Sequence, residues 1–232
     1  MSDNLINTYQ LAPSILSADF SRLGDHVRTI MDAGVRVIHV DVMDGAFVPN
    51  ITIGPVVIES IREQVHEAGG VLDVHLMIDA PERYIDDFAK AGSDWICVHA
   101  EACTHLNMTL SQVRAAGCKA GVSLNPATPL SAIQEVVDDI DFALMMTVNP
   151  GFSGQKFIAS VLPKIRRARQ LLPDDVGLEV DGGVALDTID AVLDTGANLF
   201  VAGSAVFGAS DPGAAAKALM EKMAAGAGSS AS

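Results

Sequence analysis

Cationic side chains are scarce in this chain: 15 lysines and arginines stand against 29 aspartates and glutamates, for a net charge of −14 and a pI near 4.6. An acidic balance of this size disfavours nucleic acid and anionic membranes, so neither is an expected partner. An anionic ligand would have to be attracted locally, by backbone amides, helix N-termini or a bound cation, because the global field opposes it. Cysteine is scarce too. Cys97, Cys103 and Cys118 make an odd number, two of them in apolar strand-like segments, which implies no disulfide framework and points to reduced core thiols in a cytosolic protein. No stretch approaches about 18 uninterrupted apolar residues, and the opening MSDNLINTYQ has neither a basic start nor an apolar signal core. A cytoplasmic location is therefore expected. No Gly-x-Gly-x-x-Gly follows the first apolar run, which argues against a dinucleotide fold.

What the chain does have is a regular alternation of short apolar runs with longer amphipathic stretches. Strands are expected at Leu11–Ser17, Val35–Val42, Val71–Met77, Trp95–His99, Lys119–Leu124, Phe142–Thr147, Gly177–Val180 and Leu199–Ala202. Helices fill the gaps, as at Ser21–Ala33 with its apolar Leu23, Val27, Ile30 and Met31, and at Val161–Leu172 with a basic face. Ala33-Gly34, Ala91-Gly92, Ala116-Gly117 and Thr195-Gly196 each precede the next strand, placing a glycine where a left-handed cap costs least. Eight strand and helix pairs within 232 residues, 49% of them hydrophobic, suggest one domain: a closed (β/α)8 TIM barrel of parallel strands over residues 1–224. The small, polar residues 225–232 are expected to form a flexible C-terminal tail.

Chemistry concentrates at the strand ends. In VRVIHVDVMDGAFVP, His39 and Asp41 are two residues apart, so on a strand they point the same way. VLDVHLM carries His75, and GLEVDGG ends a strand with Asp181. A lone strand-end histidine is as readily a structural hydrogen-bonding residue. In a barrel, however, the C-terminal strand ends converge on one mouth, where His39, Asp41, His75 and Asp181 would form a mixed nitrogen and oxygen set able to bind a metal, with two carboxylates able to move a proton. Met43, Met77 and Met146 fall nearby, as core filler or as a wall of the pocket. Asp44 is expected to hold its loop and His99 to make a structural hydrogen bond.

Three later loops are rich in glycine. Asn149-Pro150-Gly151-Phe152-Ser153-Gly154-Gln155 follows strand six, Gly182-Gly183 strand seven, and Gly203-Ser204 strand eight. Each pair alone is ordinary turn geometry, but in consecutive loops they let backbone amides approach an anion, and barrels commonly bind phosphate after strands seven and eight. A sugar phosphate is the expected ligand.

These segments, read together as PSILSADF, HVDVMDGAFVPN, VHLM, SLNPATP, MTVNPGFSGQKF, EVDGG and VAGSAVF, resemble the ribulose-phosphate 3-epimerase family over nearly every strand. The resemblance implies a (β/α)8 barrel that interconverts D-ribulose 5-phosphate and D-xylulose 5-phosphate, in the pentose phosphate pathway or Calvin cycle, with one divalent metal ion, zinc, iron, manganese or cobalt. It implies metal ligation by His39, Asp41, His75 and Asp181, with Asp41 and Asp181 as the acid and base pair. It also implies substrate contacts from Ser14, His75, Gly151, Phe152, Ser153, Gly154, Asp181, Gly182, Gly183, Gly203 and Ser204, and a reacting face capped by Met43, Met77 and Met146. A homo-oligomer is expected. Ser153 and Ala46 depart from residues common in the family.

Epimerisation beside a ketone requires a proton to leave one face and another to arrive on the opposite face, which suits two acids. A rival is allulose-6-phosphate 3-epimerase, with the same machinery on a longer sugar. A sugar-phosphate decarboxylase would want a lysine and a second aspartate on strand three, and Asp73-Val74-His75-Leu76-Met77-Ile78 lacks both. A Schiff-base aldolase needs a strand-end lysine, and none of Lys90, Lys119, Lys156, Lys164, Lys217 and Lys222 is one. A non-catalytic sugar-phosphate-binding barrel would need no proton-transfer pair.

Overall fold

The computed structural model describes residues 5–229. Eight parallel strands run in sheet order β1-β8-β7-β6-β5-β4-β3-β2: β1 Gln10–Pro13, β2 Val37–Met43, β3 Val71–Met77, β4 Trp95–His99, β5 Lys119–Leu124, β6 Phe142–Met146, β7 Gly177–Asp181 and β8 Leu199–Ala202. A single parallel bridge between Ser14 and His39 joins the two ends of the sheet. The ring of strands is the expected (β/α)8 barrel. The helices are α1 Leu23–Asp32, α2 Pro55–Glu67, α3 Ile85–Ala91, α4 Leu106–Ala115, α5 Leu162–Leu171, α6 Ile189–Leu193, α7 Ser204–Phe207 and α8 Pro212–Ser229. Among the described residues no helix is long and apolar enough to cross a membrane. Gly34, Gly92, Gly117 and Gly196, expected to end helices, all have positive φ.

The structure departs from the sequence reading in three places. The first strand stops at Pro13, because the Ser14 hydroxyl accepts from the Leu16 amide and turns Ile15–Ser17 into 3₁₀ helix. Between β5 and β6 the expected helix is two 3₁₀ segments, Leu130–Ala132 and Gln134–Asp139, in a stretch where Pro126 and Pro129 withhold two amides and disfavour helical backbone before them. Residues 225–229, expected in the tail, continue α8 although Gly226, Gly228 and Ser229 are poor helix formers, with Gly226 close to Leu193 of α6. Residues 230–232 of that tail lie outside the described residues.

Strand periodicity sorts the side chains into two cores. Ile38, Val40 and Val42 of β2 face the helices, with Leu72, Val74 and Leu76 of β3. Their neighbours point into the barrel, where Val37, Val71, Trp95, Phe142 and Leu199 fill the end from which the strands start. The Trp95 and Phe142 rings meet at 5.6 Å. A Cβ on Gly121 would lie 2.3 Å from the Phe142 ring, so glycine makes room for the plug. Gly121→Ala is expected to lower unfolding free energy by about 1–3 kcal/mol, and Phe142→Leu in the same chain to recover part of it; urea titration of the four proteins of that cycle checks this.

Candidate active site

Above the plug the barrel interior turns polar, and strand register stacks it in layers. His39 is level with Asp73, Asp41 with His75, and Met43 with Met77 on β2 and β3, while Met146 is level with Asp181 on β6 and β7. His39, Asp73, His75, His99 and Glu179 have no solvent exposure, and Asp41 has 4%. Burial on this scale demands partners. His39 Nδ1 lies 2.6 Å from Asp73 Oδ2 and 3.8 Å from Glu179 Oε1, and His39 Nε2 lies 3.3 Å from Asp41 Oδ1. His75 Nδ1 is 3.1 Å from Asp41 Oδ1 and 3.8 Å from Asp181 Oδ2. The Ser14 hydroxyl donates to Asp41 Oδ2 at 2.5 Å, so the bridge that joins the sheet ends also fixes an acid.

One ligand atom from each of His39, Asp41, His75 and Asp181 falls within 4.8 Å of the others, bringing together the set expected from the strand ends. The donors suit a divalent cation, and buried His39 Nε2, apart from its 3.3 Å approach to Asp41 Oδ1, makes no hydrogen bond among the described residues, as a metal-facing nitrogen would not. Asp73 and Glu179 were missed. Both sit two residues before a singled-out group, Asp73 before His75 and Glu179 before Asp181, so strand alternation alone assigns them to the same wall.

The environments of the two candidate acids differ. Burial pushes the Asp41 carboxyl up, but His39 and His75 outweigh it and hold Asp41 far below the usual carboxylate range. Burial and the Asp41 charge push Asp181 up to about 7. Burial lowers His39, yet the Asp41 and Asp73 carboxylates leave it well above an ordinary imidazole. Burial takes His75 down to about 4. Burial and the Asp73 charge hold Glu179 well above the usual range.

Over this floor opens a cavity of about 550 Å³, its open mouth included. Ser14, Asp41, Met43, Met77, Met146, Gly151, Phe152, Ser153, Gly154, Asp181, Gly182, Gly183, Gly203 and Ser204 all line it, as do Leu16, Ser17, Gln155 and Val201, which the motif reading did not single out. His75, expected to touch substrate as well as metal, lies beneath the lining, fully buried. Gly182 has φ +119°, and a Cβ there would lie 2.6 Å from Val148, so no other residue fits the end of β7. The β6 loop is tied across the mouth: the Asn50 amide donates to the Gly151 carbonyl at 3.0 Å, while Gln155 donates to the carbonyls of Asn149 and Phe152.

Comparison with known proteins decides the family of the chain. The sequence profile of the ribulose-phosphate 3-epimerase family matches residues 10–207, from the first strand to α7. The chain belongs to that family. A ribulose-phosphate 3-epimerase of Bacillus subtilis is 54% identical over 206 residues, covering 87% of this chain and 94% of its own, and one of Escherichia coli K12 is 48% identical over 202 residues, covering 86% and 89%. Among solved structures, a 3-hexulose-6-phosphate synthase from Salmonella typhimurium superposes with a TM-score of 0.71 at 16% identity, covering 94% of this chain and 99% of that one. At that identity the likeness shows the fold alone.

Around the epimerase-family mouth, Asp44 holds the β2 loop, accepting from the amides of Ala46, Phe47 and Asp79. Glu101, just past β4, is held down to about 2: burial pushes it up, but its hydrogen bond with His99 and those it accepts from Thr128 and the Asn125 amide prevail. Its folded value lies below the ordinary 4.5, so its stabilising effect is present above pH 4.5 and lost as pH falls toward 2. The stability gap between the protein and Glu101→Gln should therefore narrow across that window, as urea midpoints at successive pH values would record.

Proposed function

We propose that the protein interconverts D-ribulose 5-phosphate and D-xylulose 5-phosphate, with Asp41 and Asp181 exchanging the proton at C3. The observation that carries this reading is the meeting, within 4.8 Å, of carboxylates from β2 and β7 with two buried imidazoles at the floor of one cavity. Their environments support distinct roles, since Asp41 is ionised at neutral pH while Asp181 near 7 can hold a proton. In one direction Asp41 removes the C3 proton. The C–H electron pair forms the C2–C3 double bond, the ketone becomes an enediolate, and Asp181 delivers a proton to the opposite face. In the other direction the roles exchange.

His39, Asp41, His75 and Asp181 would hold a divalent ion of the zinc, iron, manganese or cobalt kind. Such an ion, when bound, supplies positive charge against the negative charge that develops on the sugar oxygens. Met43, Met77 and Met146 line the cavity as an aprotic wall, which keeps stray protons from the enediolate. No lysine or arginine among the described residues lines the cavity, so the phosphate is assigned to backbone groups of Gly151–Gly154, Gly182, Gly183, Gly203 and Ser204. Ser14, pinned on Asp41, would meet the sugar and steady that base. A cytoplasmic setting and a homo-oligomeric assembly belong to the same reading.

Purified protein should turn over D-ribulose 5-phosphate and exchange its C3 hydrogen with deuterated water. Preference for allulose 6-phosphate would reassign the substrate. Binding without C3 exchange would make the protein a sugar-phosphate carrier.

A further inference from the structure

The chemistry above uses Nδ1 of His75 and leaves the other ring nitrogen unexplained. That nitrogen, Nε2, lies 2.8 Å from Nε2 of His99, the two rings stacked at 4.9 Å. His99 Nδ1 lies 3.3 Å from Glu101 Oε2. Glu101 Oε1 in turn accepts from the Asn125 amide at 2.8 Å and from the Thr128 hydroxyl. The ammonium of Lys164, on α5, donates to the carbonyls of Asn125, Pro126 and Thr128 at 2.7, 3.1 and 3.2 Å. A continuous polar chain thus links the β3 histidine through β4 to the clamped loop after β5.

Two ring nitrogens 2.8 Å apart cannot both carry protons in a hydrogen bond, so the pair has a direction. With the His75 proton on Nε2, that ring donates to His99, His99 carries its own proton on Nδ1 and donates to Glu101, and His75 Nδ1 is left with a lone pair facing Asp41 and Asp181. The opposite direction lets His75 Nδ1 donate to Asp41 at 3.1 Å, but sets a bare His99 nitrogen against the Glu101 carboxylate. Asp41 and Glu101 therefore compete for the protons of one histidine pair. Glu101, whose other oxygen already accepts from the Asn125 amide and the Thr128 hydroxyl, can win that competition.

We propose that Glu101 is a positioning residue which, acting through His99, sets the tautomer of His75 so that its Nδ1 lone pair points into the four-residue site. The inference rests on the reading of His75 as a metal ligand. It also accounts for an asymmetry: Asp73 orients His39 directly at 2.6 Å, whereas no carboxylate among the described residues touches Nε2 of His75, and the relay takes its place.

The test uses full-length protein stripped of metal, titrated with zinc against a chromophoric chelator, and ¹⁵N-histidine spectra that locate each ring proton. In the unaltered protein the protons should sit on Nε2 of His75 and Nδ1 of His99. In Glu101→Gln the amide nitrogen can donate to His99 Nδ1, so both protons should move to the other nitrogens, with zinc affinity falling about 10–100-fold. Thr128→Val removes one anchor of Glu101 but keeps its charge, and should keep both tautomers and bind zinc within about threefold of the unaltered protein. A His99 proton on Nε2 in the unaltered protein overturns the proposal, whether or not any variant folds. So does zinc affinity in Glu101→Gln within about threefold, or an equal loss in Thr128→Val, which would make Glu101 a loop anchor only. Undiminished zinc affinity in His75→Gln would instead remove the ligand reading itself.

Discussion

Asp181→Asn should fold and bind the sugar phosphate yet turn over at least about 10³-fold more slowly, the scale expected for losing a positioned acid and base. The substitution keeps the shape of a side chain at the mouth of β7 and removes its capacity to take or give a proton. Folding should survive, because in the unaltered protein burial and the Asp41 charge already push this carboxyl up to about 7, so a neutral group there is close to the state the fold itself favours. The backbone around it is held independently: the Thr147 amide and hydroxyl donate to the Asp181 carbonyl at 2.7 and 2.9 Å. A kcat/KM within tenfold of the unaltered enzyme would refute the two-acid mechanism. Slow C3 hydrogen exchange without net epimerisation would be informative, since Asp41 could still remove a proton from its own face.

Removing divalent metal with a chelator should lower turnover by orders of magnitude while leaving the barrel folded, and an added divalent cation should restore it. Without a cation the buried charges balance through protons. His39, well above an ordinary imidazole, sits between the Asp41 and Asp73 carboxylates, and Asp181 shares a proton with solvent near neutrality. Protons and the cation compete for the same side chains, which fixes the sign of the pH effect. Below about pH 7 protons compete for Asp181, so affinity should weaken by about tenfold per pH unit from that group alone, and further from His39. Chelator-competition titrations from pH 8 to pH 6 measure the slope. Affinity independent of pH would exclude Asp181 from the ligand set, and collapse of the fold on chelation would make the metal structural.

The barrel was legible because its strands repeat a local pattern. Apolar runs with β-branched residues, several of them preceded by a helix and a glycine able to take positive φ, mark seven of the eight strands to within two residues at either end. The first strand failed for a local reason, since PSILS reads as apolar alternation while the Ser14 hydroxyl captures the Leu16 amide and coils the chain. The end of the chain failed in the opposite sense: glycine and serine there suggested a tail and are poor helix formers, yet residues 225–229 continue α8, which packs beside α6. Within the site, period two on β2 also applied to Asp73 on β3 and Glu179 on β7, and the signal was present but unused.

The family was legible in the resemblance of whole motifs, and the barrel and the inward direction of His39, Asp41, His75 and Asp181 in residue type and spacing along single strands, since side-chain direction on a strand is a local property. Which group sits beside which is not local. The level of His39 with Asp73, the bridge that pins Ser14 on Asp41, and the run from His75 through His99 to Glu101 depend on strand register and ring closure, set by the packing of the whole sheet. The same is true of acidity: Asp41 and Asp181 are identical in the chain, and only burial and neighbouring charge drive one far down and the other up to about 7.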